Sequence, residues 1–222
     1  RWTTVTGVQT CALPIWKSAA GAVVANDFTP GEMVKTSTFW GLFFCFLIGS
    51  IAGLMAIGIS KPVGKEIINI LDATAATLVG VFAIFNALGR PLFGFLTDKI
   101  APRNATILNL ILILVVSVIM IVAKAGDTLL YTLSFIGFWL CLGGWLAIAP
   151  TATATFFGMK NYARNYGVVF FAYGVGAIIG GIISGQAKDV FGTYTYAFYP
   201  TAVLAVVGMV MAFVLLKAPQ KA

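Results

Sequence analysis

Residues 86–103 decide the fold, and they read NALGRPLFGFLTDKIAPR. A single arginine, Arg90, lies in an otherwise uncharged apolar stretch, eight residues before Asp98. A guanidinium at the centre of a bilayer costs about 2.5–3.5 kcal/mol on insertion scales. A membrane span keeps such a charge where it faces protein or a water-filled path, so Arg90 is a functional-site hypothesis.

The composition around this stretch predicts an all-α integral membrane protein. Of 222 residues, 60% are hydrophobic and 9% are charged, whereas soluble domains carry about 25% charged residues. The net charge is +7, but the basic residues are scattered singly through short loops. Without a basic stripe to follow a phosphate backbone, nucleic acid is excluded as a partner. The lipid bilayer is the expected surrounding.

Cysteine and histidine usage argues against metal, cofactor and enzyme chemistry. The chain has three cysteines and no histidine, and Cys45 and Cys141 lie in apolar stretches as small hydrophobic residues. No disulfide, metal site or cofactor is predicted. A membrane-embedded enzyme is disfavoured because no cluster of His, Asp or Glu lies within a span. A proton relay through this region is disfavoured for the same reason.

Uncharged stretches long enough to cross a bilayer predict six transmembrane helices within a domain of residues 39–217. The predicted spans are residues 39–60, 74–97, 104–123, 128–157, 166–187 and 194–216. The fourth is too long for one straight helix, so Pro150 is expected to kink it or to mark its cytoplasmic end.

The loops predict a multi-pass protein of the cytoplasmic membrane with both termini in the cytoplasm, because basic residues concentrate in cytoplasmic loops. Nine basic residues fall on that side and four on the other, or eight and four without the first residue. The cytoplasmic set is Arg1, Lys17, Lys35, Lys99, Arg103, Lys160, Arg164, Lys217 and Lys221; the outer set is Lys61, Lys65, Lys124 and Lys188.

The ends of the chain differ from its middle. Residues 5–15 resemble one translated reading frame of a DNA sequencing adapter, so residues 1–15 are interpreted as an artefact fused to a truncated gene. Residues 16–38 are more polar and are expected to be the end of a cytoplasmic central loop. Residues 218–222 are expected to be a cytoplasmic tail.

The residues after Arg90 carry a family resemblance. Gly94, Asp98, Lys99 and Arg103 follow the spacing of the cytoplasmic loop motif of the major facilitator superfamily, which this segment resembles. Gly94 is expected to allow close helix approach, Asp98 to cap or pair, and the two basic residues to hold the loop. The chain departs from the motif at Ala101, where the motif has glycine, and at the next residue, a proline in place of a basic residue.

Residues 27–40, 53–62 and 156–174 contain segments that resemble the oxalate/formate antiporter family of that superfamily. The resemblance implies the C-terminal half of a twelve-helix transporter, with two inverted three-helix repeats and a missing N-terminal six-helix half. It further implies exchange or uptake of small organic anions by alternating access. The alternative is a six-helix membrane scaffold or subunit that transports nothing.

Five residues are predicted to bind the substrate: Arg90, Asn86, Tyr173, Trp139 and Trp145. Arg90 shares a small, polar helix face with Asn86 and Gly94, opposite Leu88 and Leu92, and is expected to point into the bundle. Its guanidinium forks naturally onto a carboxylate. The alternative is a pair with Asp98 or with carbonyls at a helix end.

The other predicted contacts are Tyr173, Trp139 and Trp145. Tyr173 stands where carriers of oxalate are expected to have a second cation, which favours monocarboxylates such as formate, lactate or pyruvate over oxalate. The alternative is a tyrosine that packs against the other half and forms a local hydrogen bond, because buried tyrosine hydroxyls usually have a partner. The two tryptophans flank the glycines 143 and 144, where a helix can thin beside a cavity; a place in the core is the alternative.

Glycines spaced by four predict close helix packing. Three such pairs are present: Gly49 with Gly53, Gly176 with Gly180, and Gly181 with Gly185.

Overall fold

The computed structural model describes residues 27–217, and within them every regular element is helical. The helices are α1 (Pro30–Met33), α2 (Ser37–Glu66), α3 (Asp72–Val122), α4 (Thr128–Phe157), α5 (Tyr162–Phe191) and α6 (Phe198–Leu215), with a 3-10 turn over Tyr194–Ala197 before α6. The predictions for residues 1–15 and 218–222 lie outside the described residues.

Five of these helices are long and apolar enough to cross a membrane, if the turn before α6 is counted with it. α2 begins where the hydroxyl of Thr36 accepts a hydrogen bond from the backbone N–H of Phe39, at 3.2 Å. Its 30 residues span about 45 Å at ~1.5 Å per residue, more than the ~30 Å hydrocarbon core of a bilayer. The helices therefore tilt or extend beyond the hydrocarbon.

α3 contains the second and third predicted spans, joined by a bend at Ala101. The connection predicted between residues 97 and 104 is a sharp bend between two helical arms, with helical turns on both sides of one non-helical residue. Five long helices, one of them crossing twice, give six passes, as predicted. Pro102 follows the bend and is buried. Its fixed φ has the helical value, so proline suits the first position of the second arm of α3.

Helix ends meet in two groups, which shows how the six passes alternate. At one end, named the bend end, the hydroxyl of Thr38 donates to the carbonyl of Lys217 at 2.6 Å. The backbone N–H of Phe28 donates to the carbonyl of Phe157 there, at 3.0 Å. At the opposite end, Lys61 and Lys65 form ion pairs with Asp72 at 2.9 and 2.7 Å. Both ends of the described chain thus lie at the bend end.

Glycine contacts set how closely the helices approach. Contacts confirm the first two predicted pairs: Gly49 and Gly53 of α2 face Trp145 and Leu142, and Gly176 and Gly180 of α5 face residues 47–55 of α2. The third pair is wrong, because an added Cβ on Gly181 or Gly185 would have no atom of the described residues within 4 Å. A spacing of four does not show which face of a helix has a neighbour.

The closest approach of α3 to α4 involves glycines outside those pairs. A Cβ on Gly89 would collide with the carbonyl of Leu140, and one on Gly143 with the carbonyl of Asn86. Gly144 is covered by the ring of Phe93. The first arm of α3 therefore fills the space beside glycines 143 and 144 that the sequence interpretation assigned to a cavity.

Pro150 does not end the fourth span, since α4 continues past it to Phe157. The buried cysteines behave as predicted. The thiol of Cys45 lies 3.4 Å from the carbonyl of Gly208, and both Cys45 and Cys141 are free and buried.

Ala101 is a strained residue, and replacing it with glycine is expected to stabilise the fold. Its φ of 68° and ψ of 154° lie in a region that essentially only glycine adopts, at a cost of about 1–3 kcal/mol for other residues. The loss of this strain exceeds the entropy cost of glycine, about 0.5–1 kcal/mol. We expect A101G to raise the free energy of unfolding in detergent by about 1 kcal/mol.

The matched control is A87G, at an exposed helical alanine of the same helix, which should cost about 1 kcal/mol. Equal destabilisation by both substitutions would show that Ala101 carries no strain.

Candidate functional site

Arg90 lies on an exposed face of the first arm of α3. The face of this arm that packs is formed by Phe82, Gly89 and Phe93, so the expectation that Arg90 points into the six-helix bundle is wrong. Leu88 is exposed at 50%, as predicted for an apolar outer face.

The depth of Arg90 places its Cα well within the span. It lies eleven residues before Ala101, which corresponds to about 16 Å at ~1.5 Å per residue. Within residues 27–217 its guanidinium forms no ion pair or hydrogen bond, and Asp98 forms none either. The alternative of an Arg90–Asp98 pair is therefore not realised.

Tyr173 of α5 lies within range of the charge of Arg90. Its ring stacks on Phe170 at 5.2 Å and leans on Phe46 of α2 at 6.1 Å. Phe46 stacks in turn on Trp145 of α4 at 5.6 Å. Four spans thus contribute to one region, in which a guanidinium and a half-buried phenol flank an aromatic wall.

The hydroxyl of Tyr173 makes no hydrogen bond within the described part of the chain, so the local bond offered as its alternative role is not formed. Tyrosine hydroxyls donate and accept hydrogen bonds. Together with a guanidinium, such a hydroxyl can bind a carboxylate.

Asn86 and Trp139 serve as links between helices. The side-chain amide of Asn86 donates to the carbonyl of Trp139 at 3.0 Å, and the indole N–H of Trp139 donates to the hydroxyl of Ser60 at 3.1 Å. The hydroxyl of Tyr131 donates to the carbonyl of Ser60 at 2.8 Å. These bonds join α3, α4 and α2, and Asn86 lies one helical turn from Arg90. Substrate contact by either residue stays a prediction.

Trp145 is completely buried, and its indole N–H has no hydrogen-bond partner within residues 27–217. The indole packs against the backbone at Gly49. A buried donor without a partner costs about 1–3 kcal/mol. Its predicted contact with substrate would require Phe46 to move off its ring.

The loop motif has one of its expected contacts. The guanidinium of Arg103 donates to the carbonyl of Phe213 at 2.7 Å, near the C-terminus of α6, and lies 4.6 Å from the ring centre of the same residue. Arg103 thus holds the bend against α6, where a helix C-terminus favours a cation. Lys99 lies 4.5 Å over the ring of Phe95. An added Cβ on Gly94 would find only an ordinary contact at 3.8 Å, so the close approach expected there occurs at Gly89.

Sequence reasoning missed Phe46 and Gly89. Phe46 contacts Trp145, Phe170 and Tyr173, yet nothing in the aromatic-rich first span distinguishes it from Phe43 or Phe44. Gly89 directly precedes Arg90, and this position was the available sequence signal for the close approach of α3 to α4. Residues 27–217 contain no group of three His, Cys, Asp or Glu side chains suited to a metal ion.

Comparison with known proteins agrees with the six-pass helical arrangement of the chain. Residues 38–222 match the family model described as Major Facilitator Superfamily. The chain is 31% identical over 191 residues to the oxalate:formate antiporter of Oxalobacter formigenes, covering 86% of this chain and 45% of that protein. It is 31% identical over 160 residues to the uncharacterized MFS-type transporter YhjX of Escherichia coli, covering 72% and 39%.

A more distant similarity, 24% identity over 213 residues, is to human monocarboxylate transporter 14, covering 90% of this chain and 41% of that protein. The chain thus spans less than half the length of each of these relatives. These matches confirm the predicted all-α membrane fold and the resemblance to the oxalate/formate antiporter family. A model match over most of the sequence, on a six-pass helical bundle, shows that the chain belongs to the major facilitator superfamily.

Proposed function

We propose that this chain forms the C-terminal half of a secondary transporter that exchanges small organic anions by alternating access. The observation that carries the proposal is Arg90, a guanidinium about 16 Å from the bend end with no ion pair within the described residues. Its charge reaches Tyr173, whose hydroxyl has no hydrogen bond among the same residues. A charge in this position requires an anion or water to offset the free-energy cost of placing it within the membrane. The names of the relatives fit a carboxylate as that anion.

The second half of the site is proposed to come from an N-terminal six-helix half. Arg90 is exposed and Tyr173 is only half-buried, so this region is open on one side. The chain covers 45% of the oxalate:formate antiporter, which fits one half of such a protein. On this proposal the anion binds between the halves and the 222-residue chain alone does not transport.

The bend end is proposed to face the cytoplasm, with the protein in the cytoplasmic membrane. Of the described basic residues, six lie at the bend end and four at the opposite end. The six are Lys35, Lys99, Arg103, Lys160, Arg164 and Lys217; the four are Lys61, Lys65, Lys124 and Lys188. Basic residues favour the cytoplasmic side.

The experiment that tests the proposal is anion exchange by the complete gene product in proteoliposomes. Vesicles loaded with unlabelled anion are supplied outside with labelled formate, lactate, pyruvate or oxalate. We expect exchange of at least one monocarboxylate. Correct insertion without exchange of any of the four anions would favour the alternative, a membrane scaffold.

Replacing Tyr173 with lysine is expected to shift the preference toward oxalate. A monocarboxylate needs one cation, and Arg90 supplies it, whereas a dianion is better matched by two. Tyr173 already lies where the charge of Arg90 acts, so Y173K places two cations around one ligand. We expect the ratio of oxalate to formate exchange to rise at least about 10-fold, which equals about 1.4 kcal/mol of differential binding.

Y173F is the control for loss of the phenol alone, and it should lower exchange without raising that ratio. An unchanged ratio in Y173K would contradict the role given to this position.

A further inference from the structure

The segment at residues 160–167, KNYARNYG, divides into faces with different contacts. Asn161 and Asn165 both donate their side-chain amides to the carbonyl of Phe28, each at 3.0 Å. These bonds anchor the start of α5 to the segment before α1. Tyr162 and Tyr166 have no part in this anchor and point along another face of α5.

That face carries a continuous row of neighbouring aromatic rings, named here the aromatic ladder: Tyr162, Tyr166, Phe170 and Tyr173. The first and last pairs are stacked and the middle pair is tilted at 52°. The first two rings lie parallel, 5.8 Å apart with planes at 2°. The next pairs are 5.6 and 5.2 Å apart. The residues recur at intervals of four, four and three, so they share one side of the helix.

The length of the aromatic ladder along α5 equals the distance along α3 from the bend to Arg90. The first and last residues of the ladder are eleven positions apart on α5, about 16 Å, and it starts at the bend end. Its last ring is the one on which the charge of Arg90 acts. Its side chains are half-buried or, at Phe170, 39% exposed. None of its three hydroxyls makes a hydrogen bond within the described residues.

We propose that the aromatic ladder forms one wall of the path by which a carboxylate passes between the bend end and Arg90. The inference rests on the proposed function and adds Tyr162 and Tyr166 as residues that contact the anion on its way. Each free phenol can donate a hydrogen bond to a carboxylate oxygen, and the stacking fixes the rings with little loss of entropy on contact. Successive hydroxyls replace part of the hydration that the anion loses.

Arg164 supplies positive charge where the ladder begins. It lies between the two tyrosines in the sequence, is exposed, and forms no ion pair within residues 27–217. Positive charge at the mouth of a low-dielectric path raises the local concentration of anions.

The test is sided exchange kinetics of the complete gene product, measured in inside-out and right-side-out vesicles with the monocarboxylate it exchanges. We expect Y162F and Y166F to raise KM for anion presented at the bend end by about 3- to 10-fold, the effect of one lost hydrogen bond. KM for anion presented at the opposite end and the maximal rate should stay within about 2-fold, below that effect.

Y199F is the matched control, because Tyr199 also stacks on a tyrosine, Tyr196, at 5.8 Å, but at the opposite end of the bundle. It should leave KM at the bend end unchanged. Unchanged KM in both ladder variants, or an equal rise from both ends, overturns the path while leaving the transporter proposal intact. Absence of exchange by the wild type overturns both.

A labelling experiment supports or overturns the path if the phenylalanine variants fold poorly. Y162C and Y166C are made in the complete gene product with its other accessible cysteines replaced by serine; Cys45 and Cys141 are buried. A membrane-impermeant maleimide should label both positions from the bend end, and the exchanged anion should slow labelling. Labelling that is absent, or unaffected by the anion, overturns the inference.

Discussion

Replacing Arg90 with glutamine is expected to abolish carboxylate exchange while leaving the helical bundle intact. The guanidinium is the positive charge of the proposed site, and truncating one partner of a hydrogen-bonded charge pair costs about 2–5 kcal/mol. Exchange at subsaturating anion should therefore fall at least about 30-fold. R90K keeps the charge but loses the planar fork, so it should recover only part of the rate.

Stability separates this result from a structural role for Arg90. Because the side chain is exposed and has no ion pair or hydrogen bond within the described residues, R90Q should unfold in detergent at nearly the wild-type temperature. K124Q, which removes a positive charge from the loop between α3 and α4, is the control and should exchange normally. Normal exchange by R90Q in a correctly inserted protein would refute the substrate contact. Loss of folding alone would favour the scaffold alternative.

The substitution G143A is expected to prevent α3 and α4 from assembling. An added Cβ would collide with the backbone carbonyl of Asn86, which cannot rotate away as a flexible side chain could. Separating the helices would also weaken the hydrogen bond from Asn86 to Trp139 and the contact at Gly89. We expect a loss of about 3 kcal/mol, the upper part of the range for overpacking, or more.

Thermal unfolding in detergent and elution on size exclusion measure this effect. The matched control is G174A, since Gly174 of α5 has no atom within 4 Å of an added Cβ. Alanine there should be neutral or stabilise the helix by up to about 1 kcal/mol, because glycine has the lower helix propensity. Similar unfolding temperatures for the two variants would mean that the close approach at Gly143 is not required.

Individual residues show which features of the site local sequence could predict. Arg90 and its depth in a span follow from hydropathy, because the cost of a charge in hydrocarbon depends on the stretch around it. The direction of its side chain did not follow from the sequence, since the exposed Arg90 comes directly after Gly89, which belongs to the packed face of α3. Glycine spacing predicted real contacts for Gly49 and Gly176 and false ones for Gly181. A glycine packs closely only if another helix lies opposite it, and that neighbour is distant in the sequence.

Ala101 combines both kinds of information. The resemblance marked it as a departure from a loop motif that has glycine, and the structure supplies the reason, a backbone conformation that suits glycine. The sequence by itself determined the membrane class, the six passes and the charge inside the second, because hydropathy and charge are properties of contiguous residues. The tertiary structure alone decided that Tyr173 lies within range of the charge of Arg90, that Phe46 stacks on Trp145, and that four rings of α5 form a row. These contacts join helices far apart in the chain, so their geometry depends on how the backbones pack and not on any local pattern.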